Sequence, residues 1–172
     1  MLTIKTERLT LKPLGMKYLE TVHEYASDLE NTKYMLFLPN ESIEETKEFL
    51  QMADKEWALD APSFYEFAIL YENQQVGAVS LYLNEASYGE MGWIINKKYW
   101  RQGIAYEAAA ALMDYSIREL HIKDFIAHCD AENVASYKIM EKLGMSRTGT
   151  SGGRKNKSSE VEGYEYQYEL HI

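Results

Sequence analysis

The chain has 172 residues, 46% of them hydrophobic and 13% aromatic, and a formal net charge of −9 at pH 7. That is enough for one domain with a substantial core, is short for two, and excludes a disordered chain. The acidic balance disfavours nucleic acid as the principal ligand and mildly favours a cationic amine. The amino terminus lacks a basic-then-apolar signal pattern, and no apolar run approaches the ~20 residues of a membrane span. A single cysteine, Cys129, cannot form an internal disulfide, which fits a reducing compartment. A cytoplasmic protein with no membrane partner, monomer or homodimer, is the expectation. Asn40-Glu41-Ser42 and Asn156-Lys157-Ser158 match the glycosylation pattern by coincidence on that reading.

In chain order, Arg8-Leu9-Thr10-Leu11-Lys12 alternates polar and apolar residues, the mark of a half-buried strand. Helices are predicted across about Lys17–Ser27 and Glu44–Ala58, with Ser42 and Glu45 spaced as a capping box. Strands follow at Phe64–Tyr71 and Gln75–Leu83, joined through Glu72-Asn73-Gln74 as a hairpin, and a fourth at Tyr88–Ile95. Helix Ala105–Leu120 gathers Ala105, Ala108, Ala109, Leu112 and Ser116 on one face, small enough to sit close to a sheet. A fifth strand covers Asp124–Cys129, and a helix from Asn133 stops at Gly144. Met145–Thr150 and Val161–Leu170 close the chain as a pair. Between them Ser151–Ser159, rich in Gly, Ser, Lys and Arg, reads as a mobile loop. Strand, helix and strand inside a set of hairpins imply an α/β (α+β) fold with a mixed sheet and helices on both faces.

The stretch from Tyr99 to Met145 carries the chemistry. Trp100-Arg101-Gln102-Gly103-Ile104-Ala105 puts a glycine turn at the head of a helix, where unpaired N–H groups and the helix dipole suit an anion such as a pyrophosphate. Alone, that turn reads more readily as an ordinary strand–turn–helix junction. Asn133-Val134-Ala135-Ser136 then opens a second helix at a fixed distance downstream. Together with Thr6-Glu7-Arg8-Leu9-Thr10-Leu11-Lys12-Pro13-Leu14 and Glu90-Met91-Gly92-Trp93-Ile94-Ile95, these segments resemble the GNAT superfamily of acyl-CoA N-acyltransferases. More narrowly they resemble its RimJ/RimL-like branch of ribosomal-protein N-terminal acetyltransferases. One departure is Trp100, where the superfamily usually has Gln or Arg; tryptophan there is common in this branch.

The resemblance implies a single GNAT domain over residues 1–172, with a mostly antiparallel sheet of about seven strands splayed between the fourth and fifth. It implies acetyl-CoA as cosubstrate, no metal, and direct transfer of the acetyl group to a primary amine on a peptide or protein N-terminus or a small molecule. Trp93, Ile94 and Ile95 would hold the pantetheine arm and supply oxyanion donors, freed by a bulge in the fourth strand. Trp100, Arg101, Gln102, Gly103, Ile104 and Ala105 would bind the pyrophosphate. The amide of Asn133 would hold pantetheine. Many members use a tyrosine where Met140 stands to protonate the thiolate; here Ser136 is the replacement, Tyr137 the runner-up, and a water a third choice. The acceptor groove would be lined by Tyr34-Met35-Leu36-Phe37-Leu38-Pro39 and the final hairpin.

Several of these residues carry a second, plainer reading. Asn133 also reads as an N-cap for the Ser136 amide, and Gly92 as a core-packing glycine. Glu90 is the candidate general base, acting through water, or a solvated strand-edge carboxylate. Glu107, in the first turn of its helix, reads as a dipole partner rather than a catalyst. Lys97, Lys98 and Arg101 are either a solvated surface patch or contacts to cofactor phosphates. His128 and Cys129 are adjacent in a strand, point to opposite faces, and cannot form a dyad with each other. The four histidines show no metal-ligand spacing. A non-catalytic acyl-CoA-binding or regulatory module is the alternative function.

Overall fold

Leu9 and Leu11 alternate with polar neighbours and are both buried, because a strand turns successive side chains to opposite faces. The computed structural model, which describes residues 1–172, builds on that strand one eight-stranded sheet. Its strands are β1 (Ile4–Lys5), β2 (Leu9–Pro13), β3 (Phe64–Tyr71), β4 (Gln74–Leu83), β5 (Gly89–Ile95), β6 (Asp124–Asp130), β7 (Ser146–Arg154) and β8 (Gly163–His171). The helices are α1 (Leu19–Ala26), α2 (Ile43–Trp57), α3 (Ile104–Arg118) and α4 (Val134–Lys142). Short 3-10 turns at Met16–Tyr18 and Lys97–Tyr99 lead into α1 and follow β5. About seven strands were expected; the eighth is the two-residue β1, too short to leave an alternating signature.

The strands are ordered β1-β2-β3-β4-β5-β6-β8-β7. Every neighbouring pair is antiparallel except β5 and β6, which are joined by the α3 crossover. That parallel pair is brief. Gly89 opposes Phe125 and Glu90 opposes Ile126, after which the two strands part, though β5 continues to Ile95 and β6 to Asp130. This is the splay between the fourth and fifth of the expected strands.

Each face has its own core. Phe67, Ile69, Val79, Leu81, Met91, Phe125 and Ala127 pack with Ile104, Ala108, Ala109 and Leu112 of α3 and Met140 of α4. On the opposite face Ala68 and Ala78 pack with Val22, Tyr25 and Ala26 of α1 and Leu50 of α2. Ser116 is fully buried on α3 and returns its hydroxyl to the Leu112 carbonyl at 2.7 Å, so a polar residue sits in the core without an unmet donor. Ser42 caps α2 by accepting from the Glu45 amide at 3.4 Å. Glu45 in turn reaches back past Ser42, to the Glu41 amide at 2.6 Å.

The closing segment departs from expectation. Ser151–Arg154 extends β7, and the residues beyond it dock on the chain between α1 and α2. The Arg154 side chain is only 7% exposed and binds Glu165 at 2.7 Å, Asn156 at 3.0 Å and the Tyr34 carbonyl at 2.8 Å. Asn156 donates to Asp130 at 2.6 Å, the Lys157 amide to the Met35 carbonyl at 3.0 Å, and Lys157 Nζ to the Pro39 carbonyl at 2.7 Å. A Gly/Ser-rich composition announced freedom; two basic side chains with partners more than a hundred residues upstream remove it.

Candidate active site

The glycine turn has the backbone an anion site requires. Arg101 (φ 62°) and Gly103 (φ 75°, ψ 11°) are both left-handed, and Gly103 caps α3 with no side chain bonded to the helix end. A Cβ on Gly103 would meet nothing nearer than Arg8 Nη2 at 3.5 Å, so the space before the helix is open. The first α3 bond runs from the Glu107 amide to the Gly103 carbonyl at 3.1 Å. The amides of Ile104, Ala105 and Tyr106 are therefore left facing that space at the positive end of the dipole.

Residues distant in sequence brace the turn. Glu107 accepts from Thr6 Oγ1 at 2.6 Å, from the Arg8 amide at 3.0 Å and from Arg8 Nε at 2.7 Å, while Arg8 Nη1 donates to the Gln102 carbonyl at 2.8 Å. Burial raises the Glu107 pKa, but the Thr6 and Arg8 bonds outweigh it and hold the carboxyl below its ordinary value. In the sequence Arg8 is one residue of an opening strand; nothing local marks it as the brace of a turn at residue 102. Trp100, 42% exposed, donates its indole N–H to the Ile95 carbonyl at 2.8 Å, so it ties the turn to the end of β5. Lys97 pairs with Asp28 (2.9 Å) and Glu30 (3.1 Å), and Lys98 with Glu24. Those two lysines are committed to acids before α2 and inside α1, which leaves Arg101 as the basic side chain of that cluster without an ion-pair partner.

In the gap between β5 and β6 the expected bulge is absent: β5 pairs with β4 in unbroken register from Gly89↔Leu83 to Ile95↔Gly77. Backbone donors are freed in another way. The Asn96 amide donates to the Val76 carbonyl at 2.8 Å, and since N–H directions alternate along a strand, those of Trp93 and Ile95 turn towards β6. There β6 has already departed. The Ile95 carbonyl on that edge is taken by Trp100 and by Asn31 Nδ2 at 3.0 Å. Splaying does here what a bulge does elsewhere.

Across the gap, Asn133 caps α4 by accepting from the Ser136 amide at 3.3 Å, so the plainer reading of its oxygen holds. Its Nδ2 has no protein acceptor. Ser136 and Tyr137 are half-buried and neither hydroxyl bonds to protein; the Tyr137 ring packs edge-on against Tyr166 at 5.6 Å.

The α1/α2 face of the sheet holds a polar row. Because Ala68, Ala78 and Ile94 lie on this face, alternation places Glu66 of β3, Ser80 and Tyr82 of β4, and Gly92 and Glu90 of β5 there too. A Cβ on Gly92 would meet only Ser80 Oγ, at 3.1 Å, which makes this glycine groove floor rather than packed core. Glu90 Oε1 lies 3.0 Å from His128 Nδ1, and His128 Nε2 lies 3.2 Å from Gln167 Oε1. The Glu90 bond raises the His128 pKa against an opposing effect of burial. His128 was set aside in the sequence because its neighbour Cys129 points away. The partner that matters comes from another strand. Cys129 lies on the opposite face, buried, its thiol pushed up to about 11 by desolvation. No cluster of three or more His, Cys, Asp or Glu side chains is arranged to hold a metal ion, and no helix is long and apolar enough to cross a membrane.

Residues 8–146 match the model of the acetyltransferase (GNAT) domain. The chain is 32% identical over 148 residues to a Bacillus subtilis protein described as the uncharacterized N-acetyltransferase YnaD, covering 85% of this chain and 84% of that one. Among solved structures, a GNAT-family acetyltransferase from Bacillus anthracis superposes with a TM-score of 0.83 at 32% identity, over 99% of this chain and 98% of that chain. The coenzyme A complex of the ribosomal L7/L12 α-N-protein acetyltransferase RimL shares the fold, with a TM-score of 0.82 at 18% identity over 99% and 98% of the two chains. An open amide cradle, a splayed parallel pair and these likenesses have one meaning: the chain belongs to the GNAT acetyltransferase family. It is an acyltransferase whose cosubstrate is acetyl-CoA.

Proposed function

We propose that this acetyltransferase passes the acetyl group directly to a primary amine, with no acyl-enzyme, and that the reaction is assembled in the gap between β5 and β6. Acetyl-CoA supplies the activated acyl group. The amides of Gly103, Ile104 and Ala105, with Arg101 and Gln102 in the same turn, hold the pyrophosphate; Trp93, Ile94, Ile95 and the free amide of Asn133 hold the pantetheine arm. The Trp93 N–H, turned to the open edge, donates to the oxygen that becomes negative during transfer, where a fixed dipole needs no reorganisation. The observation that carries this reading is the parting of β5 and β6 just beyond Glu90 and Ile126.

Proton acceptance and donation fall on opposite faces. Glu90 and His128 lie on the α1/α2 face, where the ammonium of the acceptor must lose a proton before attack. His128 takes that proton at Nε2 once the acceptor displaces the Gln167 oxygen that faces it, while Glu90 holds the ring through Nδ1 and stabilises the imidazolium. Ser136 lies in the first turn of α4, on the other face, and protonates the departing thiolate; Tyr137 is the second choice. With an α-amino group near ~7.7–8.0 little help is needed, with an alkyl amine near ~10.4 more.

Incubation of the purified protein with acetyl-CoA and a panel of peptide amino termini, polyamines and aminoglycosides tests the reading. Free CoA thiol is expected only when an acceptor is present. Tight acetyl-CoA binding with no thiol release from any amine would return the chain to a binding module.

A further inference from the structure

Glu66 is out of place. A buried carboxyl is normally paired with a cation or heavily hydrogen-bonded, because desolvating a charge is costly. Glu66 is 7% exposed, makes no ion pair, and receives a single side-chain bond, from Tyr82 Oη to its Oε1 at 2.7 Å. No protein donor reaches Oε2. Burial pushes its carboxyl up to about 7, and no basic side chain of the protein counteracts that. The surroundings are acidic and aromatic: the Phe64 ring stacks on Tyr82 at 4.8 Å, and burial together with the Glu66, Glu56 and Glu90 carboxyls holds the Tyr82 hydroxyl protonated. Elsewhere on this face acids have partners: Arg154 pairs with Glu165 at 2.7 Å and lies 4.0 Å from Asp130, to which Asn156 also donates.

Register places this pocket beside the proposed reaction centre. Tyr82 lies directly opposite Glu90 across β4 and β5, and Glu66 lies on β3, two strand spacings (about 10 Å) from β5. The geometry points to Glu66 and Tyr82 as the anchor for a second ammonium group of the acceptor, so that the favoured substrate is a small aliphatic diamine or polyamine whose other amine lies at Glu90 and His128. This assignment rests on the acetyltransferase reading of the same site. The ligand's charge supplies the counter-ion that the fold withholds, the stacked Phe64–Tyr82 pair walls one side of the alkyl chain, and Glu66 Oε2 is the free acceptor. A monoamine would leave Glu66 unanswered. Sites that hydrogen-bond a polar group discriminate strongly against analogues lacking it.

The test compares α,ω-diaminoalkanes of increasing length with monoamines of matched length in the thiol-release assay, on the parent protein, Glu66→Gln and Tyr82→Phe. The parent is expected to show a kcat/KM preference for diamines of about tenfold or more, carried by KM, which Glu66→Gln reduces to about one and Tyr82→Phe reduces in part. Calorimetric titration of a diamine into the CoA-loaded protein reads the same site without turnover, and Glu66→Gln should abolish the heat of binding. Equal use of monoamines and diamines, or a preference that survives Glu66→Gln in a folded variant, overturns the assignment and leaves the acetyltransferase reading intact. Diamine binding that depends on Glu66 with no thiol release from any amine would overturn direct transfer and leave the anchor standing. A preference confined to peptide amino termini would sink the diamine proposal outright.

Discussion

The glycine turn before α3 and the acidic floor on the α1/α2 face are built from different parts of the polypeptide. The turn is backbone: left-handed residues, open amides and a helix dipole, encoded within a few consecutive positions. The floor is side chain, with Glu66, Tyr82, Glu90, His128 and Gln167 contributed by β3, β4, β5, β6 and β8 and meeting only across strand neighbours. On the proposed reading the backbone site binds the acetyl-CoA that the family shares and tolerates many side chains. A side-chain floor is where one chain can choose its own acceptor.

Breaking each half should therefore have different consequences. The largest effect is expected for Gly103→Asp, which adds a carboxylate at a left-handed position facing the proposed pyrophosphate site. Acetyl-CoA affinity measured by calorimetry should fall beyond detection in a protein with unchanged circular dichroism. Next is Glu90→Gln, which should lower kcat/KM for the amine by about 10²-fold or more while sparing acetyl-CoA affinity. It also shifts the pH profile. His128 accepts a proton only when neutral, so the rate rises with pH through its pKa. Removing Glu90 lowers that pKa, and the acidic limb should move to lower pH. A limb that stays put would exclude His128 as the acceptor.

Ser136→Ala should lower kcat towards about 10²-fold, at the weak end for acid–base groups, with little change in acetyl-CoA affinity. If Ser136 only supports the helix start, kcat stays within about threefold and the melting temperature falls instead. Tyr137→Phe measured alongside separates the two donors. The smallest effect concerns stability. Glu66 has a folded-state pKa of about 7, above its ordinary 4.5. The unfolded chain therefore releases this proton first, and the contribution of Glu66 to stability declines as pH rises from about 4.5 to 7, then levels off. In the thermal melts, Glu66→Gln should lose that decline and gain on the parent protein at pH 8.

What the sequence made legible follows the same division. Alternation and helical spacing placed the main strands, the four helices and the parallel pair, because those signals are local and strong. The glycine turn and the second helix start stood out because a backbone anion site is contiguous. Arg8 could not be recognised as a brace, since its partners Gln102 and Glu107 are reached only through the fold. His128 is not legible in the sequence because its partner Glu90 is its neighbour in the sheet, 38 positions away in the chain. The bulge expected in β5 is replaced by the splay, and the free loop at 151–159 by a strand extension to Arg154 and a docked segment after it, because both depend on pairing and long-range hydrogen bonds that composition does not carry.

The docking of Arg154 and Lys157 onto residues 34–39 has a practical corollary for anyone redesigning the enzyme. Two stretches more than a hundred positions apart are tied by bonds from one to main-chain carbonyls of the other, at Tyr34, Met35 and Pro39. A graft that moves the closing hairpin from one homologue to another would carry the arginine and lysine without the backbone path they grip. Chimeras should therefore swap both stretches as a unit, and a library that shuffles them independently should lose most of its members to misfitted borders.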